Sequence, residues 1–276
     1  MGYTDSCDVF AAFHEDGFNR IIRHIQRQRP SLFNYGTPTL AGAAERMCRP
    51  IDAHPIVTER RNPRVTIVDL LPIPGTAYGL DFCVQLQNLE IDFHPGNVFP
   101  LPAELSPPLK PQRLAIRLRL CAGIACPSGD MLDGLVPPPR RGEPGKGKDD
   151  KPPEKPKPTP IPFKELRCFC LEAILTAGVR LRTYDQRPYV EPFLDGFEII
   201  DIAPKDLEDS IECYIKTMLK LSVLPGLRIV LESMPLDIIK DSVQVSVGPM
   251  PTGAALPFNP AIEDNQIKAF LKVEVV

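Results

Sequence analysis

The residues of this 276-residue chain that could do chemistry are eight cysteines, four histidines, scattered carboxylates and a group of arginines. The cysteines are Cys7, Cys48, Cys83, Cys121, Cys126, Cys168, Cys170 and Cys213. Two close pairs, Cys121-x4-Cys126 and Cys168-x-Cys170, resemble halves of metal knuckles. Structural zinc sites, however, hold such pairs roughly two to four residues apart within a turn. No histidine lies near these cysteines, and strand alternation would put Cys168 and Cys170 on one face. An even cysteine count suits disulfides in an exported chain, but Met1 to Asp8 lack the basic flank and apolar run of a signal peptide. Reduced thiols are therefore the expectation, with pairing or metal binding by Cys121, Cys126, Cys168 and Cys170 left open.

The histidines, His14, His24, His54 and His94, are scattered. At about 100° per residue, His14 and His24 fall on oblique or opposite faces of a helix, so each reads as a surface or capping histidine. Asp81 and Asp92 alternate with apolar neighbours and are expected to point to solvent. Asp195, Glu198 and Asp201 cluster near one strand. Glu208, Asp209 and Glu212 crowd the start of a predicted helix, where acid offsets the helix dipole. The motifs G-x-S-x-G, G-x-x-x-x-G-K-[ST], G-x-G-x-x-G and H-E-x-x-H are absent. Gly142 to Lys148 is rich in Gly and Lys but follows no strand. The chain thus reads as a non-enzyme without a catalytic residue, a metal or a cofactor.

Before Lys110 every basic residue other than histidine is arginine. Arg20, Arg23, Arg27, Arg60, Arg61 and Arg64 could grip lipid phosphates or an acidic partner with their rigid forks. A solvated helix face explains them more simply. A net charge of −3 and a pI near 5.9 leave no global field to recruit nucleic acid. No run approaches the ~18 apolar residues of a membrane span, and a cytoplasmic location is expected.

The elements that would position these residues follow from periodicity. A helix is predicted from about Asp5 to Arg29, with Val9, Phe10, Phe13, Ile21, Ile22 and Ile25 as its apolar stripe. Gly17 interrupts the stripe as a kink or close-approach point, and Pro30 ends the helix. Val65 to Leu71 reads as a strand. Tyr78, Leu80, Phe82, Val84 and Leu86 define an inward face, and the phase flips at Gln87-Asn88 to Leu89, Ile91 and Phe93, a bulge or a break. Leu114, Ile116, Leu118 and Leu120 alternate with Arg117 and Arg119. A very long strand spans Phe163 to Thr183, with Phe169, Leu171, Ala173, Leu175, Ala177, Val179 and Leu181 inward. Glu172, Thr176, Arg180 and Arg182 are solvated, and Gly178 is the place to bend. After Phe197 to Ile202, Pro204 opens a helix with Leu207, Ile211, Tyr214, Ile215 and Met218 on one side. Strands 228–231, 243–247 and 267–275 close the chain. Residues 137–162 hold ten prolines in twenty-six positions and are expected to be a disordered Pro/Lys-rich insertion.

The expected fold is α+β: a strongly curved, largely antiparallel sheet packed with an N-terminal and a C-terminal-half amphipathic helix, in one domain over 1–276. This order resembles the tubular lipid-binding superfamily of bactericidal/permeability-increasing-like proteins. The resemblance rests on the Phe10/Phe13/Ile21/Ile25 helix, the Phe169 to Leu181 strand, and Ile199-Ile200-Asp201-Ile202-Ala203-Pro204 leading into the Leu207 to Leu219 helix. The three strands after that helix exceed what the simplest members carry. The resemblance implies a groove between sheet and helices that takes a lipid or other hydrophobic small molecule. Its lining would be Phe10, Phe13, Ile21, Ile25, Phe169, Leu171, Leu175, Ile211, Tyr214 and Met218. The alternative is a structural or scaffolding subunit whose same apolar faces meet protein partners.

Overall fold

Residues 5, 7–73, 76–125, 127, 158–184, 187–203, 229–230, 234–239 and 243–275 are described by a computed structural model. Strand β1 (Val9–His14) runs directly into helix α1 (Glu15–Gln28), and β2 (Asn34–Gly36), α2 (Pro38–Gly42), α3 (Pro55–Glu59), β3 (Thr66–Ile67) and β4 (Leu71–Pro72) follow. Then come β5 (Tyr78–Leu80), β6 (Phe82–Phe93), β7 (Leu114–Ala125), β8 (Thr159–Pro160), β9 (Leu166–Tyr184) and β10 (Arg187–Ala203). The last strands are β11 (Ile229–Val230), β12 (Met234–Ile239), β13 (Val243–Pro249), β14 (Ala261–Glu263) and β15 (Gln266–Val275). The class is α+β with mostly antiparallel pairing. The predicted helix around 204–219, residues 137–157 of the predicted insertion, Cys126 and Cys213 lie outside the described residues.

The chain groups into two compact units. The first comprises residues 1–23, 88–119 and 171–276, the second 24–87 and 120–170. Strands β6, β7 and β9 each divide between the two. The division of β6 falls between Gln87 and Asn88, where the apolar phase of the sequence flips.

In the first unit, the start of the predicted helix is corrected to a strand. Residues Val9 to His14 pair antiparallel with β15, with Phe10 opposite Phe270 and Phe13 opposite Ile267. The run Val-Phe-Ala-Ala-Phe suits either periodicity, and a distant strand with open hydrogen-bonding groups decides it. β15 also pairs with β13 and β14, and β13 with β12. A small core of Cys7, Leu256, Ala261 and Phe270, joined by Phe10 and Met250, lies among these strands. A second core gathers Phe99, Leu109, Ala115 and Ile174, with Leu101 and Leu105 against them.

Helix α1 is held by side chains that imitate a strand. Asn19 donates to the Ile91 carbonyl and accepts from the Ile91 N–H, both at 2.8 Å. One turn earlier, the Glu15 carboxylate accepts from the Phe93 N–H at 2.8 Å. Backbone groups of β6 are thereby satisfied by a helix, which covers them against a further strand. Burial pushes the Glu15 carboxyl above its usual range, against the lowering effect of the Phe93 hydrogen bond.

In the second unit, the expected inward face of β5 and β6 is reversed. Gly79, Asp81, Cys83 and Gln85 are buried, while Tyr78, Leu80, Phe82, Val84 and Leu86 are half-buried. Cys83 joins a core of Leu40, Ala44, Met47 and Val65. Gln85 carries a buried polar network: it donates to the Asn34 side chain and the Arg49 carbonyl, and accepts from the Arg49 N–H. Full pairing is what makes a buried amide tolerable. The predicted strand at Val65 to Leu71 forms only in two short pieces, β3 and β4, the first parallel to β2.

Candidate functional site

The exposed apolar surface of the first unit begins on β1. Val9, Ala11 and Phe13 share one face of that strand and are all exposed, Val9 at 40% and Phe13 at 39%. Phe10 points the other way and packs its ring 5.5 Å from that of Phe270. The two phenylalanines expected on one helical stripe are therefore separated, because a spacing of three puts strand side chains on opposite faces.

Continuity into α1 runs through Gly17. A Cβ there would lie 3.1 Å from the edge of the Phe13 ring, so the glycine is the close-approach point that the sequence suggested. Gly17 and Ile21 sit roughly 200° and 240° around the helix from Glu15, on the side turned away from β6. Ile21 is 46% exposed, and Arg20, about 100° round the helix from it, is exposed too. The inner side of the strip is anchored by aromatic edges, with Phe13 on Phe18 at 4.4 Å and Phe18 on Phe93 at 5.6 Å. The result is an apolar strip of Val9, Phe13 and Ile21 with Arg20 at its edge.

The other predicted lining residues do not join it. Ile25 and Phe169 belong to the second unit and are half-buried. In the first unit Leu171 is 4% exposed and serves as core, while Leu175 is half-buried. The even positions of β9 are corrected as well. Thr176, expected on the solvated face, is buried, and so is Ile174, so the middle of the strand is covered on both sides. The Phe99–Leu109 segment covers Ile174, and Thr176 faces Gly196, where a Cβ would lie 2.8 Å from its hydroxyl. Ile211, Tyr214 and Met218 lie outside the described residues.

Next to this core, β10 presents Phe193 to two arginines, Arg113 at 4.8 Å and Arg180 at 5.4 Å from the ring. Arg113 bonds Asp195 at 3.1 Å, and Arg180 bonds Glu191 at 2.7 Å. The Arg180 hydrogen bond, aided by Arg182, holds the Glu191 carboxyl below its usual range. Arg117 pairs with Glu90 at 2.7 Å and lies over Phe99. These arginines are engaged with acid and aromatic partners of their own sheet.

Two carboxylates expected at the surface are interior. Asp81 is 1% exposed and accepts a hydrogen bond from the buried Thr37 hydroxyl. Asp92, also 1% exposed, accepts from the N–H groups of Asn97, Val98 and Phe99, clamping the turn after β6. Both partners are remote in the strand pattern, so alternation alone gave the wrong side. Two histidines behave as capping and surface groups: His54 accepts from the Ile56 N–H at the start of α3, and His14 from that of Asp16, whereas His94 is half-buried and bonds the Leu109 carbonyl at 2.8 Å.

The expectation of reduced thiols is overturned in the second unit. Disulfides join Cys48 to Cys168 and Cys121 to Cys170. Alternation correctly put Cys168 and Cys170 on one face; what it lacked was that Cys48, from an irregular segment, reaches Cys168 and that Cys121, on the neighbouring strand β7, stands beside Cys170. No cluster of metal-ligating residues is formed among the described residues, and no helix among them is long and apolar enough to cross a membrane.

No protein-family model and no curated protein matches the chain. Among solved structures, a crystal structure of lipopolysaccharide binding protein is similar over 96% of this chain, at 8% sequence identity and a TM-score of 0.29. The chain spans 40% of the length of that protein. A likeness this low assigns neither a family nor a ligand to this chain.

Proposed function

We propose that this protein binds a lipid or other amphipathic ligand, with Val9, Phe13 and Ile21 of the first unit as the apolar contact and Arg20 as an anion partner. The observation behind this reading is the exposed strip that continues from β1 across Gly17 onto α1. Full burial of each large side chain is worth about 1.5–3 kcal/mol, and an arginine fork beside it suits a phosphate or carboxylate headgroup. The reading assigns no catalytic step. It also replaces the cytoplasm with an oxidising compartment, because two disulfides persist there and are reduced in a cytosolic glutathione pool.

The test is native mass spectrometry of the purified chain together with flotation on phosphatidylcholine vesicles carrying an anionic lipid. Phe13→Glu and Ile21→Glu, both at exposed positions, should release bound lipid and reduce flotation roughly tenfold or more. A chain that carries no lipid and floats equally well with either substitution would refute the proposal. A lipid-free, stable complex with another protein would put the scaffolding reading in its place.

A further inference from the structure

Among the described residues of the second unit, one cysteine, Cys83, stands outside the two disulfides. Cys48 is bonded to Cys168, and the Cys83 sulfur lies 3.8 Å from Cys48 Sγ. Strand β7 stands between β6, which carries Cys83, and β9, which carries Cys168. On β7 between them is Gly123, where a Cβ would fall 2.5 Å from Cys48 Sγ and 3.1 Å from Cys168 Sγ. The missing side chain opens the space that the Cys48 sulfur occupies. Cys83 and Cys168 thus reach that sulfur from opposite sides. This is the arrangement exchange requires, since the entering sulfur attacks along the axis of the bond that breaks. Cys48 is also held in place, because Gln85, two residues beyond Cys83, grips both backbone groups of Arg49.

We propose that Cys48, Cys83 and Cys168 form an internal thiol–disulfide exchange site, in which Cys83 displaces Cys168 and makes it an exposed thiol open to covalent modification. The deprotonated Cys83 sulfur attacks Cys48 Sγ. The Cys48–Cys83 bond forms as the Cys48–Cys168 bond breaks, and the electron pair leaves on Cys168 Sγ. Cys168 takes a proton from water in place of the one Cys83 released. The number of disulfides is unchanged, so no external oxidant or reductant takes part. The exchange moves a thiol from a position that is 0% exposed to an exposed position on β9. There it can react with soft electrophiles, or with a small-molecule disulfide to give a mixed disulfide and one released thiol. Burial among Leu40, Met47 and Val65 pushes the Cys83 thiol up, so little of it is deprotonated and the attack on Cys48 is slow near neutral pH.

The experiment uses the full chain carrying Cys126→Ser and Cys213→Ser, so that neither of those thiols can start the exchange. The folded protein is incubated without reductant at pH about 8.5, near the ordinary thiol pKa, with iodoacetamide as the probe, and its peptides are mapped without reduction. Cys168 should become alkylated while a Cys48–Cys83 linked peptide accumulates. With Cys83→Ala, Cys168 alkylation should fall roughly tenfold or more and the Cys48–Cys168 peptide should persist. The proposal is overturned if Cys48–Cys168 remains the one bridge to Cys48 in the parent chain, or if Cys168 alkylation is the same with and without Cys83. The linked peptide from the parent chain decides the matter even if Cys83→Ala folds poorly.

Discussion

Adding one methyl group at Gly178 asks whether glycine is there to bend a strand or to admit a ring. An alanine Cβ would lie 2.5 Å from Phe193 Cζ and 2.8 Å from Cε1. Non-bonded carbons settle about 3.5–4.0 Å apart, so the ring must retreat by roughly 1 Å. It is not free to do so. Arg113 and Arg180 lie over it at 4.8 and 5.4 Å, and each is tied to a carboxylate, Asp195 or Glu191. Overpacking of this kind costs about 1–3 kcal/mol, and disturbing two exposed cation–π contacts adds about 0.5–1 kcal/mol each. Relief from glycine's backbone entropy offsets about 0.5–1 kcal/mol. The net expectation is a loss of about 1–4.5 kcal/mol in urea unfolding of Gly178→Ala. In a double-mutant cycle with Phe193→Leu, the pair should lose at least ~1 kcal/mol less than the sum of the single changes. Gly253→Ala, where a Cβ meets open space, is the control and should be near neutral. If the cycle is additive, or Gly178→Ala is as mild as the control, the ring is not the obstacle and the reasoning fails.

Opening Cys48–Cys168 by a double change to alanine removes a cross-link of sequence separation 120. The path through Cys121–Cys170 shortens the effective loop to about 75 residues, for which chain entropy implies a loss of about 4.5 kcal/mol, readable in the urea midpoint. A midpoint within experimental error of the parent would contradict it. Asp92→Ala leaves three backbone N–H groups of the turn without their acceptor. It should cost about 2–4 kcal/mol and speed amide exchange at Asn97, Val98 and Phe99 before other sites; uniform exchange would count against the clamp. Glu15, raised above its usual value near 4.5 by burial, binds its proton more tightly when the chain is folded. Its contribution is therefore intact below that value and is lost as pH rises towards the folded-state value. Glu15→Gln keeps an acceptor for the Phe93 N–H and should remove this decline; parallel stability–pH curves for the two proteins would rule it out.

Local pattern alone determined much of the scaffold. The alternation of Phe169 to Leu181 announced β9, and Leu114 to Leu120 announced β7, because side chains of a strand face opposite ways whatever lies beyond them. Pro30 ended α1, and Gly17 marked the place where the Phe13 ring comes close, since both act through backbone geometry. Period two tells which residues share a face, but not which face is covered. That is why Tyr78 to Leu86 and the buried set around Cys83 and Gln85 were exchanged, and why Thr176 was placed on the open side. Val9 to His14 became a strand because β15, at the far end of the chain, offers backbone partners that no local rule contains. The candidate strip depends on that same pairing: it turns Phe10 inward to Phe270 and leaves Phe13 outward beside Ile21. Asp81 and Asp92 are interior because Thr37 and a turn's N–H groups satisfy them, and a buried carboxylate is tolerable only with such partners. The cysteine cluster is the clearest case of what tertiary structure decided. Cys48, Cys83, Cys121, Cys168 and Cys170 come from four separate segments, and the absence of one side chain at Gly123 makes room for the sulfur of Cys48.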